Sequence, residues 1–419
     1  MTLPAGRAAS LFFAFAFAYF LSALLRAVTA TLAPVFSVEL GLGASDLGLL
    51  AGAYFLGFAS LQLPLGQALD RYGPRRTLLT LVSLAVVGCI AFALATRLGG
   101  LIAARVLIGA GVAACLMAPL TLYRRLYSPA AQLRANSWML MTGSLGMLAS
   151  TLPVQWLLPV LGWRGLFYAV AALLALGMVL IVWLVPADRT VAAAPDVSPA
   201  DADAPRPLDA TGGYGPIVRH PLFVATAPLG FFLYGGMIAV QSLWAGPWLT
   251  RVALQSPAQA AQGLFAINLS MLLAFLLWGA VMPRLAARGT DAMRLMGWGV
   301  PLALMVMAIN VALGAEATAV HWALWCVTCT FVSLSQPAVA AAFSPQQAGR
   351  ALSAFNLVIF SGVFCVQWGM GLLVDALRAA GVAEATAFRA AFAGLGVGSA
   401  AAYAWFMAGR AAVLRRASA

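Results

Sequence analysis

Lysine is absent from this 419-residue chain, and carboxylates are scarce: twelve Asp and Glu stand against 24 arginines and two histidines. Charged residues of either sign make up 9% of the sequence, against about 25% in an ordinary soluble protein. So few charges cannot coat a water-soluble body of this length. That excludes a secreted domain, a cytosolic enzyme and an ordinary nucleic-acid binder. Cysteine is sparse as well. Cys89, Cys115, Cys326, Cys329 and Cys365 all lie in apolar stretches, so no disulfide framework is implied. Cys326-x-x-Cys329 has metal or redox spacing, but no histidine or further cysteine accompanies it, and it reads as two small buried hydrophobes. No hydrolase triad, metal cluster or phosphate-binding loop is present. Neither an enzyme nor an ATP-driven pump is expected, no cofactor is called for, and any work must draw on an ion or solute gradient.

What is abundant is apolar surface. Hydrophobic residues make up 63% of the chain and the mean hydropathy is +0.95. At roughly 20 apolar residues per helical span, twelve spans fit: 8–34, 47–69, 77–96, 99–123, 137–160, 165–186, 221–249, 259–283, 293–314, 319–342, 351–374 and 388–409. The first is too long for a secretory leader and runs on through Arg26 without a cleavage site. The net charge of +12 is a topology signal in such a chain. Placing both termini inside puts Arg7, Arg71, Arg75, Arg76, Arg124, Arg125, Arg134, Arg189, Arg206, Arg219, Arg284, Arg288, Arg294, Arg350, Arg410, Arg415 and Arg416 on the cytoplasmic side. Only Arg97, Arg164, Arg251, Arg378 and Arg389 are left outside. A multi-pass inner-membrane protein is expected, acting as a monomer, with the bilayer as its main partner.

Between spans six and seven the composition changes. Residues 187–220 carry Asp188, Asp196, Asp201, Asp203 and Asp209 among five prolines and no apolar period, which reads as a flexible cytoplasmic linker. It separates an N-terminal six-helix bundle (1–186) from a C-terminal one (221–419). The halves repeat. Tyr127-Ser-Pro-Ala-Ala-Gln-Leu-Arg134-Ala135 returns as Phe343-Ser-Pro-Gln-Gln-Ala-Gly-Arg350-Ala351 at an offset of 216. Gly66-x-x-x-Asp70-Arg71-x-x-x-Arg75 returns, degraded, as Gly279-x-x-x-Pro283-Arg284-x-x-x-Arg288 at an offset of 213. Parallel repeats of this kind are a transporter architecture with the substrate site near the midplane.

The loop Gly66-Gln-Ala-Leu-Asp70-Arg71-Tyr-Gly73-Pro-Arg75-Arg76, the run Arg105-Val-Leu-Ile-Gly109-Ala-Gly111 and the triplet Gly162-Trp163-Arg164 together resemble the major facilitator superfamily over essentially the whole chain. The resemblance implies an all-α membrane fold of two pseudo-symmetric six-helix bundles working by alternating access. It also implies that Gly66, Asp70, Arg71, Gly73, Arg75 and Arg76 form a conformational latch holding the outward-facing state. In this reading Asp70 meets the positive N-terminus of span eleven near Ser353. Pro283 replaces the carboxylate in the second half, where the counterpart latch is expected to be missing. Topology-setting charge is the plainer role for the three arginines, and both roles can hold together. The family's span-five antiporter signature is absent; the span reads Gly143-Ser-Leu-Gly146-Met-Leu-Ala-Ser-Thr-Leu-Pro153.

Two arginines lie inside spans, where a charge is costly and therefore a functional candidate. Tyr19, Ser22, Arg26 and Thr29 share one helical face. Arg26 either faces a cavity or snorkels towards the outer interface. Arg105 serves inter-helix hydrogen bonding, proton coupling or substrate. Every acid lies in a loop, in the linker or at a span edge, so a cavity lined by these arginines is positive and favours an anion. Span seven adds Tyr234, Gln241, Trp244 and Trp248. Span ten adds Trp322, Trp325, Cys329, Ser333 and Gln336, and Asn268, Asn356 and Gln367 lie on neighbouring spans. Such stripes serve as packing or as pocket. As pocket, Tyr234, Gln241, Trp244, Trp325, Asn268 and Asn356 suit the organic part of a carboxylate. The expected function is proton-coupled uptake of a small organic anion. Efflux of amphipathic compounds, anion exchange and a transporter-derived sensor stand as alternatives. Asp46, Asp70, His321 and the substrate's own carboxylate are the open candidates for carrying the proton.

Overall fold

Backbone polar groups in lipid must be satisfied within the chain, which leaves long apolar runs the helix. In the computed structural model, which describes residues 5–187, 213–288 and 290–417, the apolar runs are helical and no strand occurs among the described residues. The helices are α1 (Ala5–Glu39), α2 (Ala44–Ser60, bent by 45° into Gln62–Tyr72), α3 (Pro74–Leu94) and α4 (Leu98–Arg124). The first half closes with α5 (Pro129–Ala149, resumed over 152–161) and α6 (163–184). The second half contains α7 (Pro221–Val252), α8 (Pro257–Ala287), α9 (Ala292–Leu313), α10 (Ala319–Ala341), α11 (Pro345–Ala379) and α12 (Glu384–Ala417).

Length and hydropathy alone mark ten of these stretches as membrane-spanning, or eleven when bent α2 is one span. The twelfth comes from Gly162. Its φ of 62° and ψ of 170° break the helical run Leu152–Leu184, a left-handed turn that a residue with a Cβ would resist. The contacts show that the chain reverses there. The Thr31 hydroxyl donates to the Ser150 carbonyl at 2.8 Å. Trp163 and Arg164 then both meet Glu39 at the end of α1, and Arg75 at the start of α3 donates to the Val182 carbonyl at 2.6 Å. Thus α5 runs up beside α1 and α6 runs back down.

The repeated loop is a helix start in both halves. Ser128 (φ −64°, ψ 156°) and Ser344 (φ −58°, ψ 154°) hold the same extended geometry, each followed by proline at the first helical position. This moves two expected boundaries. Span five begins at Pro129 rather than 137, and span eleven at Pro345 rather than 351, because proline pre-sets the first helical φ before the apolar run begins. Span one likewise extends over Ala5–Glu39.

Of the expected linker, 187–220, only residue 187 and residues 213–220 are described. Residues 213–220 are placed: Gly215–Val218 forms a helical turn, His220 caps α7 by accepting from the Leu222 amide at 3.3 Å, and Ile217 is buried beside Phe223 and Phe355. The aspartates Asp188 to Asp209 lie outside the described residues. With twelve spans among the described residues, the start of α1 and the end of α12 share one side with the α2–α3 loop and its arginines, called the basic face below.

Candidate substrate site

The α1 face that carries Tyr19, Ser22, Arg26 and Thr29 turns inward, and Tyr19, Ser22 and Thr29 are buried. The two span arginines differ sharply in their surroundings. Arg105, 1% exposed, donates to the Leu25 carbonyl at 3.0 Å, the Thr29 hydroxyl at 2.8 Å and the Leu50 carbonyl at 3.4 Å. Its guanidinium also sits 5.1 Å from the Tyr54 ring centroid. It therefore straps α4 to α1 and α2, using all three guanidinium nitrogens on this chain's own acceptors. Part of the α1 face is occupied in doing so, since Thr29 holds Arg105.

Arg26 meets phenol oxygens in place of backbone carbonyls, and the Tyr54 and Tyr19 side chains are its hydrogen-bonding neighbours. Its guanidinium lies 5.6 Å from the Phe58 ring centroid and within electrostatic reach of the phenol oxygens of Tyr54, Tyr19 and Tyr234. Its Nε is buried and meets no acceptor, and the Ser22 hydroxyl is buried and unpaired. The side chain points into the bundle, so it does not snorkel to the interface. Tyr234 belongs to α7, so the surroundings of Arg26 draw on both halves. No ion pair among the described residues involves Arg26 or Arg105. The ion pairs Arg164–Glu39, Arg251–Glu384, Arg294–Asp291 and Arg378–Glu384 all lie at helix ends. The described acids are likewise at helix ends, and among the described residues no group of three or more His, Cys, Asp or Glu could hold a metal ion.

The polar residues of the second half fall into two sets. In the first, the Tyr234 hydroxyl donates to Gln336 Oε1 at 3.2 Å and Gln336 Nε2 donates to Asn356 Oδ1 at 2.6 Å. This relay crosses α7, α10 and α11 and orients Tyr234 towards Arg26. In the second, Gln241 Nε2 donates to Asn268 Oδ1 at 2.9 Å while Asn268 Nδ2 donates to the Leu264 carbonyl, a clamp between α7 and α8. Trp244 meets Phe388 edge-on, and Trp325 meets Trp322, which packs on Trp248 and Phe392. The structure thus gathers Arg26, Tyr19, Ser22 and Tyr234, with Asn356 behind them. It places Gln241 and Asn268 in the clamp and Trp244 and Trp325 among aromatic rings. The period of 3.6 had put Tyr234, Gln241, Trp244 and Trp248 on one face of α7. That helix instead contains three wide π turns, at Gly230–Tyr234, Val240–Trp244 and Trp248–Val252, each of which shifts the register.

Sequence reasoning missed Tyr54 and Phe58. Nothing in an apolar span marks one aromatic residue over another, and only their i, i+4 spacing opposite a buried arginine could have drawn attention to them. The latch loop is also placed. Gly73 turns the chain with φ 85° and ψ 157°, Thr77 donates to the Ala68 carbonyl at 3.0 Å and Arg71 lies over the Tyr72 ring. Gly66 and Asp70 are exposed. Asp70 makes no hydrogen bond or ion pair among the described residues. Because α11 starts at Pro345, Ser353 lies in its third turn rather than at the helix N-terminus expected to meet Asp70.

The sequence profile of the Major Facilitator Superfamily matches residues 15–366. Curated protein sequences give no match. Among solved structures, the chain is similar to a bacterial homologue of the human lysosomal transporter Spinster in an inward-facing, unoccupied conformation, with TM-score 0.75 and 18% identity over 97% of this chain and 98% of that one. A D-xylose-proton symporter gives TM-score 0.73 at 15% identity, covering 94% and 96%. The nucleoside transporter NupG gives 0.71 at 14%, covering 95% and 98%. At these identities the likeness carries the fold alone. An all-helical membrane fold and a profile match over residues 15–366 place this protein in the major facilitator superfamily, as a secondary transporter and not an enzyme.

Proposed function

We propose that this carrier takes up a small organic anion together with protons, with its basic face in the cytoplasm. The observation that carries the reading is Arg26: a guanidinium inside the bundle, framed by three phenols and a phenyl ring, with no carboxylate beside it and its Nε without an acceptor. An uncompensated cation in a low-dielectric site is costly. An arriving carboxylate offsets that cost and can accept two parallel hydrogen bonds from the guanidinium. The Tyr234–Gln336–Asn356 relay supplies oriented neutral polar groups from the other half for the rest of the substrate.

An anion entering against a negative-inside potential is opposed by about 2.3 kcal/mol per charge per 100 mV. Accumulation therefore needs at least one cation per negative charge. Sodium ordinarily requires converging carboxylates or carbonyls, and the described acids stand at helix ends, which favours the proton. One structurally similar protein is a D-xylose-proton symporter, so the fold accommodates such coupling. The test is uptake into proteoliposomes. Arg26→Gln is expected to lower uptake of a carboxylate substrate by more than about tenfold while the protein stays folded; Arg26→Lys recovers part of it, lacking the planar fork. Near-normal uptake by Arg26→Gln overturns the assignment. Uptake is expected to rise with an inward pH gradient and to ignore sodium. An absolute need for a preloaded counter-anion would overturn proton coupling and mark an exchanger, which needs no titrating side chain.

A further inference from the structure

Helices α2 and α11 are antiparallel and run side by side across the divide between the halves. At the face opposite the basic one, the first amides of α2 have no intrahelical acceptor. The Gly43 amide is met by Asp46 of its own turn at 3.0 Å. The next two are met from the other half: the Ala44 amide donates to Asp375 Oδ1 at 3.1 Å and the Ser45 amide to Asp375 Oδ2 at 2.8 Å. Both oxygens of one carboxylate, at the C-terminal end of α11, thus sit on the positive end of α2.

Other charges nearby do not compete for Asp375. Glu384 holds Arg378 at 3.1 Å and stands 3.8 Å from Arg251, leaving the helix N-terminus to answer the Asp375 charge. These groups line a cavity of about 220 Å³ at this face, together with Ser37 and Trp244. Below the carboxylate the two backbones touch. A Cβ on Gly48 would stand 2.2 Å from the Gln367 carbonyl oxygen, and one on Gly371 would stand 2.3 Å from that of Ala44. The contact is therefore a seat shaped for closure.

At the other end of the same pair the arrangement is repeated in sequence but not engaged. Asp70 terminates α2 at the basic face, where α11 begins, and it is exposed and unpartnered among the described residues. We propose that Asp375 is the latch of the opposite face: its bond to the N-terminus of α2 holds that face shut in the conformation seen here and must break for the face to open. Asp375 acts as a positioning residue. It touches no substrate, and it biases which face is open.

The test uses the full-length protein in nanodiscs, with native cysteines replaced and a reporter at Ser37→Cys on the cavity wall. Labelling of that reporter by a membrane-impermeant maleimide, without substrate, reads opening of the opposite face. Asp375→Asn keeps the shape, removes the charge, and is expected to raise the labelling rate about five- to tenfold, the scale of a lost charge–dipole contact. Asp46→Asn, which removes a cap lying wholly within α2, is expected to leave the rate unchanged. Should Asp375→Asn not fold, Asp375→Ser, too short to reach both the Ala44 and Ser45 amides, is expected to raise labelling likewise, and wild-type labelling there overturns the proposal equally. Wild-type labelling in a folded Asp375→Asn, or an equal rise in Asp46→Asn, overturns the proposal. The measurement involves neither substrate nor Arg26, so its failure leaves the transport reading untouched and the converse also holds.

Discussion

Arg105 directs its donors to Leu25, Thr29 and Leu50, whereas Arg26 leaves its Nε without an acceptor. One residue type in one low-dielectric setting therefore has opposite expected sensitivities. Removing Arg105 strands three buried acceptor contacts and a cation–π contact. Arg105→Gln is expected to destabilise by about 2–3 kcal/mol, the scale of charge-assisted hydrogen bonds lost in a core. This shows as a lowered unfolding temperature in detergent, with Arg105→Lys intermediate because one ammonium cannot span α1, α2 and α4. Arg26→Gln removes contacts to phenols and a phenyl ring but no strap between backbone carbonyls, and is expected to lower the unfolding temperature less than Arg105→Gln does while uptake is lost. A strong thermal defect in Arg26→Gln without an uptake defect would reverse the two roles.

At the scale of elements, the helices are shaped by their interruptions. Proline after an extended serine starts α5 and α11 alike, and the shared dihedrals of Ser128 and Ser344 show the duplication in backbone geometry as well as in letters. Gly162 separates α5 from α6 where hydropathy alone runs on. Gly162→Ala forces a Cβ into the left-handed region and is expected to cost about 1–2 kcal/mol, read as a lower unfolding temperature with little change in initial uptake rate. In α7 the π turns carry Tyr234 away from the register of Gln241, which is why one of these faces Arg26 and the other clamps α8.

Across the whole molecule, the α2–α11 pair places a carboxylate at each C-terminal end beside the N-terminal end of its antiparallel neighbour, with Asp375 engaged and Asp70 without an ion pair among the described residues. If the two acids act on alternate states, Asp70→Asn lowers Ser37→Cys labelling where Asp375→Asn raises it. The double variant returns the rate towards the wild-type value, because both states lose a similar contact. Equal shifts in the same direction from both single variants would break that reciprocity. The resemblance pointed to Asp70 as a latch. Its counterpart Asp375 stood in the sequence as one more acid at a span edge.

Sequence alone determined the class of the molecule. Scarce charge and long apolar runs force helices across a bilayer, the repeated Ser-Pro loops declare two halves, and the loop around Asp70 carries the family resemblance. It also isolated Arg26 and Arg105, since an arginine within a span is visible by composition. Tertiary structure decided what those residues do. Whether a buried guanidinium is a strap or an open donor depends on acceptors contributed by other helices, such as Leu50 on α2 for Arg105. Whether a polar side chain faces the site or a neighbouring helix depends on π turns that no 3.6-residue period reveals. Asp375 became legible only when α2 and α11 came together, because the partners of its carboxylate lie 330 and 331 residues away along the chain.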